Sequence, residues 1–391
     1  MRMKLLLVAT PNRTSRTGVT AHYNRLLAAL TAAGHEVVLL TPTDGPFWAK
    51  KTMGALRRVA ALFGTSGRIV YWELENFASL WLAVRRHRKQ AFHLVHAQDV
   101  SAGAAASLAL RRGVRSVVTC HFNDDPLTEY RSARPLPAWL QHGLARWYRF
   151  LFRQNDAFIT VSDYIRQTSA FLRPAYAPCR VIHNGVVFPA FPPKADSKEF
   201  ILLNIGTLES RKNQALLIEA AAELRARGVE HLKVWFLGIG PKRADWEALA
   251  RQHHLDDIVC FWGYQSDVGD FLQRAALYVH TAVNESWGYS ITEAIASGTP
   301  VLTLATGGIP EQFADQDPGL LPPGVTAAQL ADAILPYCAP EARHRLAARQ
   351  RAFAQSRFNL PVMLEKHLTF YQSLTTGAPV GVRADQTLVE A

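Results

Sequence analysis

Two series of short apolar runs constrain the fold of this 391-residue chain more than any other feature. Each run is short enough for a buried strand, and the segments between runs carry apolar residues at helical spacing. Such alternation is typical of parallel sheets covered by helices on both faces. The first series comprises residues 4–10, 36–41, 92–97, 115–120, 157–162 and 180–184.

Residues 188–197 (FPAFPPKADS) interrupt this rhythm with three prolines, and we place a linker there. The rhythm then restarts, and a chain of this length suits two domains of about 150–200 residues each. Because ligands bind beyond the carboxyl ends of strands in such sheets, we expect the site in the cleft between the domains. The second series comprises residues 200–206, 233–238, 258–263, 277–282 and 300–305.

The division that follows has four parts. A first α/β domain spans residues 1–188 and a second spans 189–356. An amphipathic helix at 357–375 is expected to pack back on the first domain, and 376–391 is expected to be a flexible tail.

Composition excludes several classes of protein. The hydrophobic share of 49% is that of a globular chain, and no apolar run reaches the roughly 18–20 residues that a membrane-spanning helix needs. The apolar N-terminus lacks a signal-peptide cleavage site, so we interpret it as the first strand. The four cysteines are widely separated, which indicates neither a disulfide framework nor a zinc site and fits the cytoplasm.

The net charge of +11 is unevenly distributed. Residues 1–190 contain 25 Lys and Arg against 10 Asp and Glu (+15), and residues 191–391 contain 18 against 22 (−4). No nucleic-acid-binding motif accompanies the basic half, so we expect no nucleic-acid partner. Anionic lipid or a phosphorylated acceptor explains the charge at least as well.

The strongest local motif is a pair of acids, Glu285 and Glu293, separated by seven residues. Gly288 argues against one continuous helix through both, so Glu285 is expected in a loop and Glu293 in the first helical turn. Ser290 with Glu293 also fits a capping box, which would need no ligand. The alternative is that both acids face the cleft and accept hydrogen bonds from a sugar and a ribose.

Arg211 and Lys212 form a second motif, just before Asn213 as a plausible helix N-cap. Two cations at a helix N-terminus are unfavourable alone, because the helix dipole is already positive there. The arrangement makes sense if a diphosphate binds to both side chains and to free backbone N–H groups. Two solvated loop cations are the alternative.

Three further positions are weaker candidates. Gly307 follows a strand and could let the backbone approach a phosphate. Gly18 opens the first helix, although any strand–helix turn accepts a glycine. His121 ends a strand and should face the cleft, but a lone histidine is usually structural.

These motifs together resemble the retaining glycosyltransferases of family 4, the group 1 enzymes with a GT-B fold. The resemblance extends over nearly the whole chain and implies two Rossmann-like, doubly wound parallel-sheet domains facing a central cleft. Its most specific parts are the Glu-x7-Glu motif and the loop IGTLESRKN at residues 205–213; VIHNGV, FLGIGP, FWGY and GGIPE also occur in family order.

The resemblance implies a role for each matching residue. Arg211 and Lys212 are similar to the pair that binds the donor diphosphate, and Glu293 to the acid that binds the nucleotide ribose. Glu285 is similar to the acid near the reacting face of the transferred sugar, and His121 to the histidine that reaches that sugar.

Further donor contacts are implied around these residues. Backbone amides of Trp287, Gly288 and Tyr289 are expected near donor hydroxyls, and Gly18 near the diphosphate. Many relatives have arginine where this chain has Thr207, so we expect Thr207 to line a donor site with one phosphate-binding cation fewer.

The implied reaction is metal-independent transfer of a hexose-type sugar, with retention, from a nucleoside diphosphate sugar to a saccharide. No metal or other cofactor is expected, and UDP is favoured over GDP. A sugar-nucleotide epimerase and a non-catalytic sugar-nucleotide-binding protein are the alternatives. A dinucleotide oxidoreductase is disfavoured, because no Gly-x-Gly-x-x-Gly follows the first strand.

Basic and apolar residues alternate at residues 50–63, where Met53, Leu56 and Val59 share a face with lysines and arginines around it. Such a stretch can lie on a membrane surface or simply line the cleft. With the basic segments 85–89 and 139–153, it favours an acceptor displayed on lipid, such as a lipid-linked oligosaccharide or a lipopolysaccharide precursor. The protein would then be peripheral on the inner face of the cytoplasmic membrane.

Overall fold

A computed structural model describes residues 2–110, 113–133, 135–190 and 197–376 of the chain. It contains two six-stranded sheets whose paired strands are all parallel. The first sheet contains β1 (Lys4–Val8), β2 (Glu36–Leu40), β3 (Leu94–Ala97), β4 (Ser116–Cys120), β5 (Ala157–Thr160) and β6 (Cys179–Val181), in the order β2-β1-β3-β4-β5-β6.

The second sheet repeats this design. The strand order changes direction beside its first strand, as it does in doubly wound folds. The sheet contains β7 (Phe200–Ile205), β8 (Leu232–Leu237), β9 (Val259–Gly263), β10 (Leu277–His280), β11 (Val301–Leu304) and β12 (Leu320–Leu321), in the order β12-β11-β10-β7-β8-β9.

Helices connect the strands in both domains. Those of the first domain are α1 (Gly18–Ala32), α2 (Phe47–Leu62), α3 (Gly64–Arg85), α4 (Val100–Ala109), α5 (Pro126–Ala133), α6 (Ala138–Arg153) and α7 (Asp163–Thr168). Those that follow are α8 (Gln214–Ala226), α9 (Arg243–Gln252), α10 (Gly269–Arg274), α11 (Tyr289–Ala296), α12 (Ala327–Ile334), α13 (Pro340–Gln355) and α14 (Leu360–Thr375). Short 3-10 helices occupy Pro42–Asp44, Ala170–Leu172, Ser210–Lys212, Ile309–Gln312 and Leu335–Cys338.

The buried strands explain why the apolar runs predicted the fold. Every residue of β3, β4, β5, β10 and β11 is buried, as expected of a parallel sheet with both faces covered. The predicted architecture, two Rossmann-like domains each built on a parallel sheet, is confirmed. The last run of the first series forms a shorter strand than predicted, since β6 ends at Val181. Beyond it, His183 contacts Glu311 and Trp287 of the second domain.

The end of the chain returns to the first domain. Val186 pairs with Asn359 in an isolated parallel bridge. Helix α14 packs on α1 and on one face of the first sheet. Gly185 permits this crossing, because a Cβ there would lie 2.8 Å from the Cβ of Met363. Residues 377–391, most of the predicted tail, lie outside the described residues. Among those described, no helix is both long and apolar enough to cross a bilayer.

Candidate active site

Glu285 is the centre of a charged cluster at the carboxyl edge of the second sheet. It lies in the loop between β10 and α11, whereas Arg211 and Lys212 lie in the 3-10 helix that follows β7. Because β7 and β10 are neighbouring strands, the two loops emerge side by side. The Lys212 ammonium forms an ion pair with Glu285, and Nη1 of Arg211 lies 3.3 Å from Oε2 of Glu285. The fold thus brings both sequence motifs together.

Burial gives this cluster its electrostatic character. Desolvation alone would raise the pKa of the Glu285 carboxyl, but the positive charges of Lys212 and Arg211 lower it well below its usual range. Desolvation and the nearby Lys212 charge lower the pKa of His280 to about 4. At neutral pH an ionised carboxylate therefore lies beside a neutral imidazole, whose Nε2 is 3.8 Å from Oε2 of Glu285.

Glu293 lies one element further along, on α11. Gly288 occupies the N-cap position with φ of +79°, so Glu293 falls in the second helical turn rather than in the predicted first turn. The alternative interpretation, a capping box of Ser290 with Glu293, is not observed either. The Ser290 hydroxyl is 2.7 Å from the Tyr278 hydroxyl, from which it accepts a hydrogen bond, and no side chain caps the helix. The Glu293 carboxylate instead pairs with Arg25 of the first domain.

Helix α1 forms the opposite wall of the cleft. Its first residue is Gly18, where a Cβ would lie 3.8 Å from Cδ2 of Tyr289. One turn later, Nδ1 of His22 lies 2.9 Å from the Tyr289 hydroxyl. Arg25, another turn on, stacks over the same ring at 4.7 Å and reaches Glu293. Two helices from different domains therefore face each other across the cleft through polar side chains.

His121 lies at the end of β4, and its ring is 4.7 Å from that of His22. Desolvation, with a smaller contribution from His367, lowers the pKa of His121 to about 3, so its imidazole is neutral at physiological pH. Nε2 of His121 lies 3.0 Å from the Gln98 side-chain oxygen and donates to it. Nδ1 then remains as the acceptor. The adjacent loop also reaches the charged cluster, because Asn123 accepts a 3.4 Å hydrogen bond from Arg211.

The glycine loop after β11 packs directly behind Glu285. Gly307 has φ of +58°, and a Cβ there would lie 2.1 Å from the carbonyl oxygen of Glu285. Gly308 donates a 2.9 Å hydrogen bond to that same oxygen. Further along, the Glu311 carboxylate accepts hydrogen bonds from the backbone N–H groups of Asp163 (2.7 Å) and Tyr164 (3.0 Å) in the first domain. The loop therefore supports Glu285 and joins the two domains.

Trp287 and Thr207, which are also predicted to bind the donor, differ in how far their side chains are exposed. The Trp287 side chain is 1% exposed, stacks on His183 at 4.7 Å and donates to Thr292, so only its backbone is available to a ligand. The Thr207 side chain is exposed and has no hydrogen bond within the described ranges. Its carbonyl oxygen accepts a 2.9 Å bond from Gln214.

The described residues contain no group of three or more His, Cys, Asp or Glu side chains suited to a metal ion. The sequence does include one Asp-x-Asp triplet, Asp315–Asp317. Asp317 is buried and accepts hydrogen bonds from Gly319 N (2.9 Å) and Gln350 (3.1 Å). These contacts give Asp317 a structural role beside β12.

Comparison with known families matches both halves of the chain. A model described as glycosyl transferases group 1 matches residues 190–353, and one described as Glycosyltransferase Family 4 matches residues 16–187. The chain belongs to the group 1 glycosyltransferases with a GT-B fold. The resemblance inferred from the motifs is thereby confirmed.

This glycosyltransferase is similar to enzymes of varied specificity. Glycogen synthase of Mycobacterium tuberculosis is 29% identical over 369 residues, which cover 85% of this chain and 86% of the relative. The gpi3 subunit of phosphatidylinositol N-acetylglucosaminyltransferase of Schizosaccharomyces pombe is 26% identical over 314 residues, which cover 75% of this chain and 64% of the relative.

Solved structures share the architecture. Sucrose-phosphate synthase from Thermosynechococcus elongatus superposes with a TM-score of 0.75 at 20% identity, covering 96% of this chain and all of that chain. Anabaena HepE in complex with UDP and glucose gives a TM-score of 0.70 at 18% identity, covering 95% and 100%.

Several site residues of the glycosyltransferase were not found from the sequence. His22 and Arg25 face the cleft from α1, His280 lies behind Glu285, and Glu311 joins the domains. Helical spacing could have placed His22 and Arg25 on one face of α1. Nothing local indicated that this face meets another domain.

Proposed function

We propose that the protein transfers a hexose-type sugar, with retention of anomeric configuration and without a metal, from a nucleoside diphosphate sugar to a saccharide acceptor. The observation that supports this most is the cluster of Arg211, Lys212 and Glu285 at the carboxyl edge of the second sheet. Departure of a nucleoside diphosphate leaves negative charge on the phosphate and positive charge on the sugar ring. Two cations and one carboxylate match that pattern of charge.

Each residue has a part in the proposed reaction. Lys212 and Arg211 bind the diphosphate and stabilise it as it leaves, which is the work a metal ion performs in other transferases. The ionised Glu285 lies beside the sugar and stabilises the developing positive charge. The neutral His121, with Nε2 bonded to Gln98, offers Nδ1 to a sugar hydroxyl.

We propose UDP as the nucleotide in preference to GDP. HepE, which shares the fold, has been solved with UDP and with UDP-glucose. A thermal-shift panel of nucleotide sugars tests this directly, since a ligand at 100 times its Kd stabilises the native state by about 2.7 kcal/mol. A larger shift with GDP-sugars than with UDP-sugars would reject the UDP preference.

The donor that binds best then serves in an activity test. We expect slow hydrolysis in the absence of acceptor, transfer to a saccharide with the donor's anomeric configuration by NMR, and no loss of rate with EDTA. Glu285→Gln should abolish turnover while leaving donor binding measurable. Conversion of the donor to an epimer would instead identify a sugar-nucleotide epimerase, and binding with no turnover would identify a binding protein.

The acceptor is proposed to be displayed on lipid. Helices α2 and α3 pack as a hairpin whose junction exposes large apolar side chains, with Leu62 82% and Phe63 71% exposed. Arg57 and Arg58 are exposed on the same helix, whereas the side chains of residues 50 and 51 lie outside the described part. On α6, Trp139 is 64% exposed. Exposed apolar side chains close to cations can bind to an anionic bilayer surface.

Vesicle flotation tests this proposal. We expect binding to vesicles rich in phosphatidylserine at low salt and release at about 0.5 M salt, because exposed charges are screened over a few ångströms there. Leu62→Ser/Phe63→Ser should weaken binding without changing donor hydrolysis. Absence of binding at low salt would remove the membrane from the proposal.

A further inference from the structure

Arg25 crosses from the first domain to Glu293, the acid that the family resemblance implies for the nucleotide ribose. Its Nη2 pairs with Oε1 of Glu293, and its guanidinium lies 4.7 Å from the centre of the Tyr289 ring. The side chains of Arg25 and Glu293 are 31% and 24% exposed, so the pair lies at the cleft rather than in the core.

The other terminal nitrogen of Arg25 has no hydrogen-bond partner among the residues that the structure describes. Nη1 is buried, yet within the described residues it makes no hydrogen bond to any atom of the protein. A buried donor without an acceptor is destabilising, and more so when it is charged. The second oxygen of Glu293 likewise has no hydrogen bond in the part of the chain that the structure describes. The ion pair therefore retains one donor and one acceptor that no described residue of the protein satisfies.

We propose that Arg25 is a further donor-binding residue, which with Glu293 recognises the ribose of the nucleotide. Glu293 accepts from one ribose hydroxyl through its free oxygen, and Nη1 of Arg25 donates to an oxygen of the same ribose. This inference rests on the proposed function, because it requires a nucleoside diphosphate in the cleft. It adds a contact from the first domain, so the ribose is held by both domains at once.

A purely structural role for Arg25 predicts the opposite effect of its removal on nucleotide affinity. If Arg25 only ties the domains together, it competes with the ribose for Glu293, and its removal should tighten nucleotide binding. If it binds the ribose, its removal should weaken binding. The unpartnered Nη1 favours the second behaviour, because a simple tie would leave that buried donor unsatisfied in every state.

The test is calorimetric titration of wild type and Arg25→Met with UDP, 2′-deoxy-UDP and 3′-deoxy-UDP. Methionine keeps an apolar stem over Tyr289 and removes all donors. We expect Arg25→Met to raise the Kd for UDP roughly tenfold or more, as for loss of a charged hydrogen bond. We also expect the wild-type preference for UDP over at least one deoxy analogue to shrink to about twofold or less in this variant.

Glu311→Gln is the matched control, because it weakens a different contact between the domains and leaves Glu293 untouched. It should keep the wild-type ratio between UDP and its deoxy analogues. Tighter UDP binding by Arg25→Met, or an unchanged ratio, would overturn the inference. If wild type binds none of UDP, GDP, ADP and TDP in the same assay, the proposed function itself fails.

Discussion

Replacement of Lys212 by methionine removes the ammonium that lies closest to Glu285. The two side chains are 12% and 9% exposed, so they are only weakly screened by solvent. Breaking a buried pair by removing one partner costs about 3–5 kcal/mol. Arg211 stays 3.3 Å from the Glu285 carboxylate, and we therefore expect a smaller loss, about 2–3 kcal/mol, in the free energy of unfolding.

The effect of Lys212→Met on catalysis should exceed what lost stability can explain. Removing one preorganised group that stabilises developing charge lowers kcat by about 10²–10³-fold. The assay is release of nucleoside diphosphate from the donor chosen by thermal shift, at a temperature where the variant is fully folded by circular dichroism. A kcat within about threefold of wild type would refute the leaving-group role.

The double variant Lys212→Met/Glu285→Gln separates the two effects. It removes both charges, so no buried carboxylate is left without its partner, and most of the lost stability should return. Activity should not return, because neither the cation nor the acid is present. Recovery of activity together with stability would mean that the pair is only structural.

Three further predictions concern stability. Gly307→Ala should lower the free energy of unfolding by about 2 kcal/mol or more in urea denaturation, whereas Gly324→Ala, strained but with open space around its Cβ, should cost less. Burial lowers the pKa of both His280 and His367 to about 4, so the unfolded state binds more protons below about pH 6.5. Stability should therefore fall as the pH drops from about 6.5 to 4, and His367→Gln should flatten that slope; an unchanged slope would contradict the argument. Tyr289→Phe removes the 2.9 Å contact with the buried His22 and should cost about 1–2 kcal/mol, measured by the same denaturation.

The sequence predicted the fold well because its signal was local. A buried parallel strand needs a continuous apolar run, and β7 and β10 both show one. The approach of Lys212 to Glu285 was also predictable, since both follow strands whose carboxyl ends share one edge.

Predictions failed where geometry depended on one dihedral angle or on distant residues. The spacing of Ser290 and Glu293 is that of a capping box. However, Gly288 adopts a left-handed conformation, and the helix begins without a side-chain cap. The contact of Arg25 with Glu293 joins residues 268 positions apart in different domains. No local pattern encodes such a contact, because a charged residue on an amphipathic helix normally faces solvent.

A crystal structure of the protein with UDP bound would test the proposed donor site most directly. We expect phosphate oxygens within about 3 Å of Nζ of Lys212 and of the Arg211 guanidinium, with the ribose at Glu293. A diphosphate bound elsewhere, with the Lys212–Glu285 pair unchanged and solvent in front of it, would contradict it.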